Sequence, residues 1–442
     1  MTCQNCARLQ EENTRLQETL NKLEQENKEL RRRLAAYENP HTPPSRRIIY
    51  PKPKPRRKGP RFPGRPRGHV GSTRPRPQPD RVEEPPRKNR CEDCGSPLGE
   101  PCLVGHRVVE EISNPAPRHV VDYLEHGYTC TLCGSYTTSR HPDCPPLGRL
   151  GKNALVQATL LKFQDRLPHL KACETLERTY GLTVTPATLL DITHRVAGWL
   201  RPEYTAIRDR IRASPVVYID ETGEKMDGVK HWLWCFTTET DTLAAIRKSR
   251  GKGVLEEILG EDFDGFIVCD GLKSYPSFTD RIQRDWAHLL REARYLAEHV
   301  EEAGPLSEAL HRLYDGIKVW AVDKPPPEEA ALIAGEARRV MVDLAGGPWE
   351  REETIRFAGK MMNGMDHWFT FLFVPSCEPT NNRAERALKE HVVQRKIMGT
   401  FRNGKGTWIY ETIMTLLATW KQRGLNPSKA MAESLSKAWK KS

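Results

Sequence analysis

Val216-Val-Tyr-Ile-Asp220 and Gly265-Phe-Ile-Val-Cys-Asp270 are two short apolar runs, each ending on an acid. Runs of this length between turn residues read as buried strands. His231 to Thr238 and Thr242 to Arg247 read as two further strands, and Lys252 to Leu259 as a short helix. Ile282 to Trp286 reads as a fifth strand, with a helix from Ala287. The order is taken as β-β-β-α-β-α-β-α, that of a ribonuclease-H-like core in a multidomain α/β chain. In that order the first and fourth strands lie side by side and parallel. Acids at their C-terminal ends converge, as ligands do at the carboxyl edge of such sheets.

Asp220 and Asp270 are therefore candidates as a pair. Adjacent carboxylates repel each other unless a cation sits between them. Hard oxygen donors at a strand edge suit Mg²⁺ (or Mn²⁺), which keeps waters and takes phosphate oxygens. Two such ions can activate an attacking water and stabilise the leaving oxygen of an in-line displacement. Thr380-Asn-Asn-Arg-Ala-Glu-Arg-Ala-Leu-Lys389 offers a third carboxylate, Glu385, on a helix that Asn381 or Asn382 can cap. Glu385, Lys389 and Lys396 share one face if that helix continues. The lysines, with Arg386 and Arg395, are candidate phosphate contacts.

Toward the N-terminus, Leu9, Leu16, Leu23 and Leu30 recur every seven residues, with Cys6, Asn13, Leu20, Asn27 and Leu34 at the other core position. This reads as a short parallel coiled coil over 1–39 that makes a homodimer or higher oligomer. Residues 40–90 form a linker dense in Pro, Arg and Lys, too poor in apolar surface to fold alone. Its Arg56, Arg57, Lys58, Arg65 and Arg67 are candidate phosphate contacts. Cys91-Glu-Asp-Cys94 and Cys130-Thr-Leu-Cys133 can close a four-thiolate Zn²⁺ shell with no open position, a structural site in a module over 91–148. Residues 149–212 read as helical. Leu170 to Tyr180, the turn at Gly181 and a helix opening at Thr185-Pro186 resemble a helix-turn-helix. The core then occupies 213–300 and 377–442, split by a helical insertion over 301–376. Trp320, Trp349 and Trp368 of the insertion read as core residues.

Among 442 residues the formal net charge is +11, which favours an anionic partner, and 12 are cysteines. The N-terminus is polar from Thr2 onward, so no secretory signal is expected. No apolar run is long enough for a membrane span. A cytoplasmic protein with no membrane partner is the expectation.

Several of these features occur together in one family. They are the leucine repeat, Arg67-Gly-His-Val-Gly71, the paired CxxC motifs and Phe163-Gln-Asp-Arg-Leu-Pro168. Further on come Ile219-Asp-Glu-Thr222, Cys269-Asp-Gly271, Asn381-Asn-Arg-Ala-Glu-Arg-Ala-Leu388, Arg395-Lys396 and Gly424-Leu-Asn-Pro427. The chain resembles the transposases of the insertion sequence 66 family over nearly its whole length. The resemblance implies a DDE catalytic set on Asp220, Asp270 and Glu385, metal-dependent cleavage of DNA at element ends, and strand transfer into target DNA. It also implies that accessory proteins of the element can take part. Asp285-Trp-Ala-His288 is similar to the Cys/Asp-x-x-His signature of several transposase groups, which makes His288 a candidate at the scissile phosphate or the metal shell. The family often has Cys where Asp285 stands. Two other readings fit part of the sequence: a zinc-containing dimeric DNA-binding regulator without catalysis, and a nuclease of the same fold without strand transfer.

Overall fold

The computed structural model describes residues 13–27, 30, 120–121, 126–129, 136–139 and 143–440. The chain divides after Ala116 into two units. In the first, residues 13–27 form helix α1, whose Leu16, Leu20 and Leu23 are exposed. The rest of the leucine repeat, apart from exposed Leu30, lies outside the described residues. So do Arg56, Arg57, Lys58, Arg65 and Arg67 of the linker, and all four candidate zinc ligands Cys91, Cys94, Cys130 and Cys133.

In the second unit, β1 (His126–Thr129) and β2 (Tyr136–Ser139) pair antiparallel, with His126 opposite Ser139. Their connection contains the Cys130 and Cys133 positions. Helices α2 (Lys152–Phe163), α3 (His169–Tyr180) and α4 (Pro186–Arg212) follow. Gly181 ends α3 at φ +62°, a left-handed position that a side chain would strain. Thr185 caps α4, its Oγ1 accepting from Thr188 N at 3.2 Å. Apolar residues recur along one face of α4, from Leu189 through Ile192, Val196 and Leu200 to Ile207 and Ile211, and all are buried. That burial carries the helix through Pro202, where the missing N–H would otherwise break it at a cost of about 3 kcal/mol.

The sheet begins with β3 (Val216–Met226), β4 (Val229–Thr237) and β5 (Thr242–Arg247). Asp227 and Gly228 join β3 to β4 with φ of +50° and +72°, the signs a type I′ hairpin turn requires. Helix α5 (Lys252–Leu259) leads to β6 (Phe266–Cys269) and β7 (Ile282–Arg284). The spatial order is β5-β4-β3-β6-β7. β3 is antiparallel to β4 and parallel to β6, and β6 is parallel to β7. The first and fourth strands of this mixed sheet are thus parallel neighbours.

One expectation of the sequence is corrected: no helix separates the fourth and fifth strands. Residues between Asp270 and Ile282 form turns, closed by Tyr275 N to Leu272 O at 3.2 Å and Phe278 N to Tyr275 O at 2.9 Å. Gly271, Ser274, Pro276 and Ser277 disfavour helix there. About a dozen residues is also near the shortest crossover between parallel neighbours.

Helix α6 (Trp286–His299) leaves β7 directly, and α7 (Ala303–Ile317), α8 (Pro327–Ala345) and α9 (Glu352–Asn363) follow. Trp368 is buried, and Trp320 and Trp349 pack partly buried against the same core. The chain returns through α10 (Asn382–Met398), α11 (Gly404–Gln422) and α12 (Pro427–Trp439).

Side chains alternate across a strand, so the sheet separates two hydrophobic cores. Val217, Ile219, Ile267 and Cys269 join one core with α2 to α5, α11 and α12. Val216, Tyr218 and Val268 join the other with α6 to α9. The helical segment 149–212 is continuous with the first core. Helix α10 contributes to both, through Leu388 and Ala384. Helix α11 also closes the β5 edge. Thr242 N, Ala244 N and Ile246 N donate to Thr419 Oγ1 (3.1 Å), Thr415 Oγ1 (2.9 Å) and Glu411 Oε1 (2.8 Å).

Candidate metal centre

The alternation that fills the two cores also fixes the direction of the acids. Tyr218 and Val268 enter the second core, and Asp220 and Asp270 each stand two residues further on, so they share its side of the sheet. Continuing the β3–β6 register from Tyr218 opposite Val268 sets Asp220 beside Asp270. Strand β7 repeats the pattern. Gln283 donates from Nε2 to Trp368 O (3.1 Å) on the second-core side, and Asp285 follows two residues later. The expectation that the first strand closes on Asp220 is corrected, because pairing with β4 carries β3 on to Met226. Asp220 lies inside β3, and Asp270 and Asp285 directly follow the last residues of β6 and β7.

The local bonds fix these carboxylates differently. Asp220 Oδ1 accepts from Glu221 N at 2.8 Å, and Asp270 Oδ1 from Leu272 N at 2.9 Å. Burial pushes the Asp220 carboxyl well above its usual range, and the charges of Glu221, Asp270 and Glu385 push it the same way. Asp285 is buried at the N-cap of α6, its Oδ1 accepting from Ala287 N at 2.8 Å. Its Oδ2 pairs with Nδ1 of His288, one turn into the helix. Burial alone would lower the His288 pKa, but the bond to Asp285 and the charges of Asp285 and Glu385 outweigh it and raise the value.

Glu385 comes from the first turn of α10, its N–H donating to Asn381 O at 3.1 Å. Its Oε1 lies 3.4 Å from both His288 Nδ1 and Arg291 NH2. Among the described residues, Asp285, His288 and Glu385 form a group whose ligand atoms all lie within 4.8 Å of one another. The tightest cluster thus joins two residues singled out in the sequence, His288 and Glu385, to Asp285, which the sequence marked only as standing in place of Cys. The signal for Asp285 was present: an acid closing a strand, capping a helix and lying three residues before a histidine. Asp220 and Asp270 are not members of that 4.8 Å group, although the charges of Asp270 and Glu385 both raise the Asp220 pKa.

A further correction concerns the start of α10. Asn381 occupies the N-cap position, but its side chain makes no capping bond. Instead its Nδ2 donates across to Ile219 O at 2.8 Å. Of the α10 cations, Arg386, Lys389 and Lys396 are exposed. Arg395 is engaged with β3, bonding to Gly223 O and lying 4.0 Å from Glu224.

Glu221, in phase with Val217 and Ile219 of the first core, lies behind the acids on the other side of β3. Its side chain is fully buried between Arg250 (NH2 to Oε1, 2.6 Å) and Tyr275 (OH to Oε2, 2.6 Å). Burial and the Asp270 charge raise its pKa, against the opposing bonds. The network ties the turns after Asp270 to β3, a role the motif Ile219-Asp-Glu-Thr222 did not reveal.

An α/β sheet with acids on and just after its parallel strands, beside a helix-borne glutamate and an acid-held histidine, defines a protein with a candidate site for divalent cations. Residues 148–408 match the family described as "Transposase IS66 family", and the chain belongs to that family. The matched region includes Asp220, Asp270, Asp285, His288 and Glu385. The chain is similar to the uncharacterized protein y4qI of Sinorhizobium fredii, 22% identical over 327 residues, which covers 64% of this chain and 58% of that protein. It is also 23% identical over 393 residues to the uncharacterized protein y4jD of the same organism, covering 80% of this chain and 75% of that one. The chain therefore spans under two thirds of the length of y4qI. Among the described residues, no helix is long and apolar enough to cross a membrane.

Proposed function

We propose that this chain is a DNA transposase whose ribonuclease-H-like core cleaves phosphodiesters at element ends and joins them to target DNA. The observation that carries this reading is the parallel register of β3 and β6, in which Tyr218 and Val268 pair two residues before Asp220 and Asp270. Their donor chemistry fits a hard divalent cation: oxygen ligands only, and a mutual repulsion that a bound cation relieves. Asp220, Asp270 and Glu385 would hold Mg²⁺ or Mn²⁺. When bound, such ions supply charge for the attacking and leaving oxygens of an in-line displacement.

The remaining roles fall to the chain's own groups. His288, whose protonated form Asp285 and Glu385 favour, would offer positive charge to a phosphate at the rim of the site. Arg386, Lys389 and Lys396 extend that charge along α10, and the linker cations Arg56, Arg57, Lys58, Arg65 and Arg67 add contacts that neutralise phosphate without reading sequence. Arg395 serves by bracing α10 against β3. Cys91, Cys94, Cys130 and Cys133 would hold a structural Zn²⁺, and the α1 segment would pair protomers through its exposed leucines. Accessory proteins of the same element are further candidate partners.

The test compares wild type with Asp220→Ala, Asp270→Ala and Glu385→Ala in Mg²⁺-dependent cleavage of element-end DNA, then in joining of pre-cleaved ends. Each substitution is expected to reduce both activities to background while DNA binding persists. Cleavage without any joined product would replace the transposase by a nuclease, and neither activity in wild type would leave a DNA-binding regulator. Metal analysis of the purified protein is expected to find one Zn²⁺ per chain, and its absence would remove the zinc module.

A further inference from the structure

Glu385 reaches the site on a segment that returns after the whole of α7, α8 and α9. Something must set its distance from Asp220, and the hydrogen bonds of residues 376–381 identify what does. Tyr218, buried two residues before Asp220, donates its hydroxyl hydrogen to Ser376 O and accepts from Glu378 N, both at 2.9 Å. Trp286 N, at the start of the helix bearing His288, donates to Pro379 O at 3.1 Å. Asn381 then makes the closest link. Its Nδ2 donates to the carbonyl of Ile219, the residue before Asp220, and its own carbonyl accepts from Glu385 N. One residue therefore bridges the backbone that carries the first acid and the helical turn that carries the third.

Asn381 is 1% exposed, and its Oδ1 has no hydrogen-bond partner. A buried orphan acceptor is destabilising, and an apolar side chain of similar size would avoid it. The amide is thus accounted for by the bond to Ile219 rather than by helix capping or packing.

We propose that Asn381, with Tyr218, is a positioning residue that sets the spacing between Asp220 and Glu385 and so the affinity of the acid site for a divalent cation. The proposal rests on the assignment of the cation to Asp220, Asp270 and Glu385. Residues that orient ligands without touching the metal typically change affinity by about 10- to 100-fold when replaced.

The experiment measures Mn²⁺ binding to the full chain by the loss of the free-ion paramagnetic resonance signal, in wild type, Asp220→Ala, Asn381→Ala and Tyr218→Phe. Asp220→Ala should lose the site. Asn381→Ala and Tyr218→Phe should keep its stoichiometry, with Mn²⁺ bound roughly tenfold more weakly or less tightly still, and raised Mn²⁺ should restore occupancy. A purely structural role would lower the melting temperature and leave the affinity of the folded protein unchanged. Should Asn381→Ala not fold, Tyr218→Phe decides alone, since it removes only a hydroxyl. Loss of binding in Asp220→Ala, with wild-type affinity in the folded positioning variants, overturns the spacing role and leaves the metal assignment standing. Equal binding by wild type and Asp220→Ala overturns the assignment itself and the spacing role with it.

Discussion

Asp285, bonded to His288 Nδ1, favours the charged form of the imidazole. Because the folded pKa of His288 is raised, the imidazolium persists to higher pH than in the unfolded chain, and its stabilising contribution fades as pH rises through the folded value. Asp285→Asn keeps a helix-capping side chain but removes the charge. The His288 titration, followed by imidazole nitrogen NMR, should move to lower pH, because burial then acts against a weaker opposing field. An unchanged midpoint would show that Glu385 alone holds the proton. At this scale, Asp220 and Asp270 were legible because each closes an apolar run whose direction the sheet dictates. Asp285 was placed inside the expected strand Ile282 to Trp286, whereas β7 stops at Arg284 and Asp285 caps α6. The place of Glu385 came from a motif, since no local rule carries a residue across three helices.

The pairing of α11 with β5 is a match of two periods. Glu411, Thr415 and Thr419 recur every four residues of helix, a rise of about 6 Å, and meet alternate residues of β5, spaced at about 6.6 Å. The edge strand thus finds its missing partners on a helix side. Replacing Thr415 and Thr419 by Ala leaves the N–H groups of Ala244 and Thr242 buried and unpaired, at about 1–3 kcal/mol each. Chemical denaturation of the double variant should show most of that loss, and an undiminished midpoint would mean that water replaces the hydroxyls. None of this was visible in the sequence. A threonine at every fourth position of a helix reads as weak propensity until the strand beside it is known. The extent of α4 was hidden for the opposite reason, since Pro202 is a local stop signal that only tertiary burial overrides.

Across the whole second unit, the sheet carries one core on each face, and a few charged side chains fasten elements that are distant in sequence. Asp241, in the β4–β5 turn, receives Arg210 from the end of α4 at 2.7 Å and Arg423 from beyond α11 at 2.6 Å. Burial alone would raise the Asp241 pKa, but these guanidinium bonds and the Thr240 hydroxyl hold it below the usual carboxylate range. Its stabilising contribution is therefore complete above the unfolded value of about 3.9 and is lost as pH falls through the lower folded value. Asp241→Asn should cost about 3 kcal/mol near neutral pH, the low end for a broken buried pair because both arginines are partly exposed. The deficit should shrink in acid, and a pH-independent deficit would assign it to packing. The sheet order followed from the alternation of runs and turns, whereas such fastenings join partners 31 and 182 residues apart. The helix-sealed flank of β5 has its counterpart on β7, where Thr370 Oγ1 donates to Ile282 O at 2.6 Å and Phe371 N to Gln283 Oε1 at 2.7 Å. With both outer strands occupied, this sheet offers no template for a neighbour's strand. Copies held close together are thereby kept from pairing strand by strand through the five-stranded sheet.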